Sequence, residues 1–257
     1  MSRTTPHPAS SLSMAYRTAP RVHRPALIAL YALHQKWREA AIYPDQHHAV
    51  TTLNWWHHEI EKAKVGEINH PDLLALKNYG VFDELQALLH GHMHWHHLTR
   101  IDTLEQLQPM IDAIGGAYMN TWLGIIGQPN ADLGLKAGRA LWWIDQTRHI
   151  GHSLTPSRMW LPIDWLRELN LPVHLLLNRK LPAAERFQHG EKLTQKLIQT
   201  AQNDLNECQG LALPKSLNAL LKTRALLLNE LTAQPQDVWA GLVSISPRRK
   251  WWASLWA

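Results

Sequence analysis

The sequence predicts an all-α protein with a single domain, and three observations support this. Apolar residues recur with helical periodicity along most of the 257-residue chain. No alternation of apolar and polar residues is long enough to indicate a β-strand. No convincing linker divides the chain. With 45% apolar residues, a chain of this length can bury a sizeable core, so we expect roughly eight to ten helices around it.

The first half of the chain contains the clearer helix signals. Residues 1–11 are polar and contain prolines, which predicts a flexible N-terminus ahead of a helical domain over residues 12–257. Pro25 suits the first turn of a helix, and Pro71 begins a second such segment. Apolar periodicity predicts helices over 24–41, 46–64, 82–99 and 103–127.

Three glycines, Gly115, Gly116 and Gly124, lie inside the run 103–127. A glycine inside a helix costs about 1 kcal/mol relative to alanine, so we expect these positions to mark close helix packing or a bend beside a cavity. In the second half of the chain, the same periodicity predicts helices over 131–150, 182–208 and 213–233, followed by a last segment over 236–257.

The composition limits the classes of partner. The chain has 26 Lys and Arg residues against 21 Asp and Glu, and a formal net charge of +5. This balance favours an anionic partner such as a phosphorylated ligand or an anionic membrane surface. The basic residues are scattered and match no recognisable motif, so nucleic acid is not expected. The single Cys208 excludes a disulfide framework and a multi-cysteine zinc site.

No signal peptide and no transmembrane run is visible, which predicts a cytoplasmic protein. The C-terminal segment joins tryptophans to Arg248, Arg249 and Lys250, so peripheral contact at the inner membrane is one interpretation. The tryptophan pairs are most simply core and rim residues, since indoles bury a large area, and core burial is favoured over membrane contact for the C-terminal pair. These pairs are 55/56, 142/143 and 251/252.

Two clusters could bind a metal. In the run HGHMHWHH over 90–97, His90/His94 and His92/His96 are spaced one helical turn apart. Asp145, His149 and His152 also share a helix face. The favoured interpretation is structural in both cases: a histidine-rich helix that is solvated or lines a cleft, and an Asp145 that fixes a histidine or an arginine in the wall of a bundle.

Several motifs in order along the chain resemble the squalene/phytoene synthase family. The segments are SSLSMAYRTAP (10–20), RPALIALYAL (24–33), LNWWHHEI (53–60), INHPDLLAL (68–76), IGGAYMNTWLGIIG (114–127), ADLGLKAGRAL (131–141), SRMWLPIDWLRELNL (157–171) and VSISPRRKWWASLWA (243–257). The resemblance implies an isoprenoid-synthase-like helical bundle around a central cavity.

The chain departs from this family at the residues that hold metal. Family enzymes bind Mg²⁺ on two Asp-rich helical motifs, because paired carboxylates grip a hard cation that neutralises the diphosphate. The first motif is replaced by Arg38, Glu39 and Ile42. In the second, an arginine is kept as Arg148, but His149 and Ser153 stand at the two Asp positions. Another expected Asp falls at or near Trp95, and the tyrosine of the family's YLP motif is Trp160.

The resemblance implies a ligand pocket lined by Arg38, Glu39, Trp95, Asp145, Arg148, His149, His152, Ser153, Arg158 and Trp160. With most carboxylates replaced, we expect neither catalytic residues nor bound Mg²⁺ or another cofactor. The leading hypothesis is a pseudoenzyme that binds an isoprenoid or other lipid, or acts as an assembly or scaffold factor on a protein partner.

Two alternatives stay open. One is an active prenyl transferase of isoprenoid biosynthesis, with a softer metal on Glu39, Asp145, His149 and His152. The other is a regulatory subunit of an active paralogue.

Overall fold

The computed structural model describes residues 5–98, 100–155, 159–241 and 243–255. These residues form thirteen α-helices with short 3₁₀ and π segments, and no β-strand occurs among them. The all-α prediction is therefore confirmed. The longer helices are α2 (Arg24–Ala41), α3 (Gln46–Lys64), α5 (Phe82–His97), α7 (Ala117–Ile125), α8 (Ala131–Ser153), α11 (Ala183–Glu207), α12 (Lys215–Ala233) and α13 (Pro247–Leu255). The shorter ones are α1 (Ser11–Thr18), α4 (Pro71–Leu74), α6 (Leu104–Ile111), α9 (Ile163–Glu168) and α10 (Val173–Leu177).

Most long helices match their predicted ranges, and the differences have local causes. The predicted run 103–127 is divided into α6, a π segment over Asp112–Gly116, and α7. Pro109 within α6 and the glycines that follow weaken the regular helical ladder there. The number of helices exceeds the prediction because α4, α9 and α10 span six residues or fewer. Such short helices are held by packing more than by their own propensity.

The glycines of the π segment mark close packing, as predicted. Gly115 crosses Gly138 of α8 backbone to backbone: a Cβ on Gly115 would lie 2.8 Å from the carbonyl carbon of Gly138 and closer still to its oxygen. Gly116 faces a side chain instead, with a Cβ placed 2.9 Å from Cδ1 of Leu135. This crossing anchors α8, the longest helix but one, against the centre of the bundle.

One hydrophobic core runs through the described part of the chain. Helices α2, α5 and α7 pack on one another, and α7 and the π segment pack on α8. On another side, α1, α12 and α13 pack together, while α12 also contacts α8. This arrangement brings the C-terminal halves of α2 and α8 close to side chains from α12 and α13, where the candidate site lies.

Candidate functional site

The ends of α2 and α8 hold the residues at the two family motif positions. Arg38 and Glu39 are exposed near the C-terminal end of α2, and Arg38 donates to Oε1 of Gln35 at 2.6 Å. Asp145, Arg148 and His149 occupy the C-terminal half of α8. Arg158 lies outside the described residues.

Asp145 is held by an arginine from α12. Arg224 donates Nη1 to Oδ1 at 2.6 Å and Nη2 to Oδ2 at 3.3 Å, a bidentate pair that occupies both carboxylate oxygens. The structural interpretation, in which Asp145 fixes an arginine in the wall of the bundle, is confirmed. Arg224 itself is largely buried, with a side chain 12% exposed and an Nε that has no hydrogen-bond partner among the described residues.

His149 lies where several positive charges meet. Burial lowers its pKa, and nearby Asp145 opposes that shift. Arg148, Arg38 and Arg224 each lower the same pKa further. Since these three arginines belong to α8, α2 and α12, charges from three different helices act on this one imidazole.

Arg148 and Lys250 extend this group toward the C-terminal helix. Arg148 donates Nε to the carbonyl oxygen of Val243 at 3.2 Å, and Lys250 donates Nζ to that of Ala9 at 3.1 Å. Burial lowers the pKa of Lys250, and the charges of Arg148 and Arg224 lower it further. We call Arg38, Arg148, Arg224 and Lys250 the cationic cluster. Asp145, already paired, is its carboxylate.

A polar chain of buried rings lies deeper in the bundle. Nε2 of His92 and Nδ1 of His34 are 3.1 Å apart, the rings of His34 and Tyr118 are 4.8 Å apart, and the hydroxyls of Tyr118 and Tyr16 are 3.2 Å apart. Burial lowers the pKa of His34 to about 3, with Arg38 adding to the shift and Asp145 opposing it. Both histidines are therefore neutral at physiological pH and add no charge to the cationic cluster.

The other predicted site residues have partners elsewhere. His152 lies against Gly241, where a Cβ would be 2.7 Å from its Nε2, and its carbonyl accepts from Arg179 at 2.9 Å. Ser153 accepts from Nε1 of Trp160 at 3.3 Å. The structure therefore brings Asp145 and His149 together but directs His152 and Ser153 to other contacts.

The histidines of the run 90–97 contact different parts of the structure. His90 approaches His57 of α3 at 3.4 Å, His92 approaches His34, and His96 donates to the carbonyl of Ala41 at 3.0 Å. The predicted pairs one turn apart are thus divided among different neighbours. In the part of the chain that the structure describes, no group of three or more His, Cys, Asp or Glu side chains is placed to hold a metal ion.

Indoles form a packed cluster beside the site. Trp142 contacts Trp95 with ring centroids 6.3 Å apart and Trp160 at 5.5 Å, and Trp143 stacks on Trp165 at 5.6 Å. All five are buried, so core burial is confirmed for the 142/143 pair. Trp95 and Trp160, at positions of polar family residues, are part of this hydrophobic packing.

The prediction of core burial is wrong for the C-terminal pair. Trp251 and Trp252 are 45% and 48% exposed. The inward positions of α13 are taken by Lys250 and by the buried Ser254, and the indoles consequently face outward. The 55/56 pair is split, with Trp56 buried and Trp55 exposed.

The fold agrees with the comparisons with known proteins. A family model described as squalene/phytoene synthase matches residues 5–249. The chain belongs to the squalene/phytoene synthase family. Among solved structures, a dehydrosqualene synthase in complex with a ligand superposes with a TM-score of 0.79 at 14% identity, covering 95% of this chain and 89% of that one. Squalene synthase HpnC from Alicyclobacillus acidocaldarius gives a TM-score of 0.66 at 18% identity, covering 88% of each chain. No curated protein matches the chain.

The Mg²⁺ of the squalene/phytoene synthase family does not fit the residues present. Mg²⁺ needs oxygen ligands in octahedral geometry, yet both oxygens of Asp145 accept from Arg224. Glu39 is exposed on α2, and Arg38 and His149 stand where carboxylates are expected. The cationic cluster would also repel a dication. The same cations are suited to an anion, because guanidinium groups bind phosphate oxygens through several N–H donors.

Two hollows border α12, and no residue of the cationic cluster lines either of them. One of about 390 Å³ is bordered by the C-terminal end of α11 and by α12, and Cys208 lines it. The other, of about 450 Å³, is an open groove between α12 and α13. Burial raises the pKa of the Cys208 thiol to about 11, with Asp204 and Glu207 adding to the shift, and the thiol is therefore protonated and unreactive at neutral pH.

Sequence reasoning missed Arg224, Lys250 and His34. Arg224 is the one with a visible signal, because it interrupts the leucine-rich run of α12. A charged residue inside an apolar run is costly unless it is paired, which hints at a partner without saying which.

None of the helices in the described residues is long and apolar enough to cross a membrane.

Proposed function

We propose that this chain is a non-catalytic member of the squalene/phytoene synthase family that binds an anionic isoprenoid, with arginine and lysine in the place of Mg²⁺. The observation that carries the proposal is the cationic cluster. Four cations from α2, α8, α12 and α13 act on the pKa of His149 or belong to the group around Lys250, near the helix positions where family enzymes hold carboxylates. The carboxylate among them, Asp145, is already paired with Arg224. The excess positive charge favours a diphosphate or a similar head group.

Burial strengthens this preference. Arg224 is largely buried with an Nε that lacks a partner, and an unsatisfied buried donor is costly until an acceptor reaches it. Burial also lowers the pKa of Arg148, although nearby Asp145 opposes the shift, and Arg224 lowers it further. A bound anion beside these guanidinium groups offsets the desolvation of their charges, whereas a bound metal ion adds to their repulsion.

Metal-independent binding is the first expected result. Farnesyl diphosphate raises the midpoint of thermal unfolding equally in EDTA and in Mg²⁺, since ligand binding to the folded state stabilises it by mass action. Farnesol has the same tail without the anion and produces no comparable rise. Differential scanning fluorimetry, confirmed by titration calorimetry, measures both. Stabilisation that requires Mg²⁺, or none with any prenyl diphosphate, contradicts the proposal.

Two other functions of a non-catalytic member are left when no prenyl diphosphate binds to the intact chain. The chain then acts as an assembly or scaffold factor for a protein partner, or as a regulatory subunit of an active relative. An active prenyl transferase with a softer metal on Glu39, Asp145, His149 and His152 is the competing enzyme hypothesis. The Asp145–Arg224 pair weighs against it, because a metal on Asp145 would have to compete with a bidentate guanidinium for the same carboxylate.

A further inference from the structure

Helix α13 presents an apolar stripe to solvent. Arg248, Trp251, Trp252 and Leu255 stand at i, i+3, i+4 and i+7, which is one face of a helix. Trp251, Trp252 and Leu255 are 45%, 48% and 49% exposed. This is the reverse of the usual arrangement, in which the apolar face of a surface helix packs on the core.

The orientation of α13 is fixed by its opposite face. Lys250 donates to the carbonyl of Ala9, Ser254 is buried, and Arg249 pairs with Glu230 of α12. Helix α13 also packs on α1 and α12. The outward stripe therefore belongs to a docked helix, and its exposure results from how that helix is held.

The charged residues of α13 itself have one sign. Asp237 is the last acidic residue of the chain, and Arg248, Arg249 and Lys250 follow it. Arg248 is exposed and has no ion-pair partner among the described residues. Trp252 also lines the open groove between α12 and α13 with Leu226 and Ala253, so the apolar surface continues onto α12.

We propose that the α13 stripe docks on the surface of an anionic lipid bilayer. Indoles favour the level of the lipid head groups, where the ring is sheltered and its N–H stays hydrated. Arginines beside them are attracted to anionic head groups. Apolar and aromatic residues flanked by cations are the pattern of a helix that lies in the interface. A second copy of this chain is disfavoured as the occupant, because each copy would bring an exposed Arg248 to the interface and α13 has no acidic residue to pair with it.

Membrane docking has a consequence for the cationic cluster. Lys250, on the inward side of the same helix, belongs to that cluster, which then lies just inside the docked surface. The docking inference stands on exposure and charge, and it does not depend on the ligand proposed above.

Vesicle co-sedimentation tests the inference with a matched pair of variants. The intact chain pellets with phosphatidylcholine vesicles that contain phosphatidylglycerol and stays in solution with phosphatidylcholine alone. Trp251→Ser/Trp252→Ser lowers the partition coefficient about tenfold or more, and Arg248→Gln lowers it about fivefold, the effect of one basic residue. Trp55→Ser leaves it unchanged, although Trp55 is 47% exposed and also contacts a neighbouring indole, Trp56.

Three results overturn the inference. The first is failure of the intact chain to bind either kind of vesicle. The second is an equal loss in Trp55→Ser, which would make binding a general property of exposed indoles. The third is a concentration-dependent dimer in size-exclusion chromatography that Trp251→Ser/Trp252→Ser abolishes without any vesicle binding, which would assign the stripe to a second copy. Far-UV circular dichroism verifies that each variant is folded.

Discussion

Replacing Arg224 with glutamine lowers the affinity for farnesyl diphosphate by about tenfold or more. A hydrogen bond to a charged group contributes about 1.5–3 kcal/mol, and tenfold in affinity corresponds to about 1.4 kcal/mol. The Arg224 side chain is only 12% exposed, so solvent screening weakens its electrostatic interactions little. Titration calorimetry in EDTA measures the change.

The matched control is Arg139→Gln. Arg139 makes a pair of the same bidentate kind with Asp112, at 2.7 and 2.9 Å, nearer the N-terminus of α8. Its removal leaves the affinity unchanged. Because Arg224→Gln also frees Asp145, Arg148→Gln serves as a second variant that keeps the Asp145–Arg224 pair and still weakens binding. Equal losses in Arg139→Gln and Arg224→Gln would show that the effect arises from general destabilisation.

The second large effect concerns the folding of the scaffold. Gly115→Ala lowers the free energy of unfolding by about 3 kcal/mol, because its Cβ meets the backbone of Gly138, which has no rotamer to change. The gain of about 1 kcal/mol in helix propensity is too small to compensate. Urea denaturation followed by circular dichroism measures the difference.

Gly116→Ala separates close packing from helix propensity. Its one close contact is with Cδ1 at the end of the Leu135 side chain, which can rotate away, while the Cα of Leu135 lies at an ordinary 3.5 Å. We therefore expect Gly116→Ala to cost at least 1 kcal/mol less than Gly115→Ala. Two variants of equal stability would contradict the backbone crossing.

Helices that begin with a recognisable start signal, such as a proline in the first turn or a capping Asp, were predictable from the sequence. The ranges 24–41 and 46–64 match α2 and α3 because proline begins the first of them and periodicity carries both. Asp45, which accepts from the backbone N–H of His48 at 3.1 Å, fixes the start of α3. The glycines of the run 103–127 predicted close packing or a bend, but not a π segment, since apolar periodicity continues across them.

The cationic cluster was predictable only in part. Motif positions on α2 and α8 identified Arg38, Arg148 and His149 through the family resemblance. Arg224 is 79 residues from Asp145 along the chain, and local spacing contains no information about such a pair. Lys250 stands beside tryptophans that suggested a buried segment, and the side of α13 that faces inward depends on tertiary packing.

A turnover assay tests the central claim most directly. The purified chain is incubated with farnesyl diphosphate or geranylgeranyl diphosphate in the presence of Mg²⁺ or Mn²⁺, and the products and released diphosphate are measured. We expect no squalene, phytoene or diphosphate above the level without protein. The reason is that arginine and lysine side chains, and not Mg²⁺-binding carboxylates, surround the head group. Formation of squalene or phytoene by the intact chain would contradict a non-catalytic role.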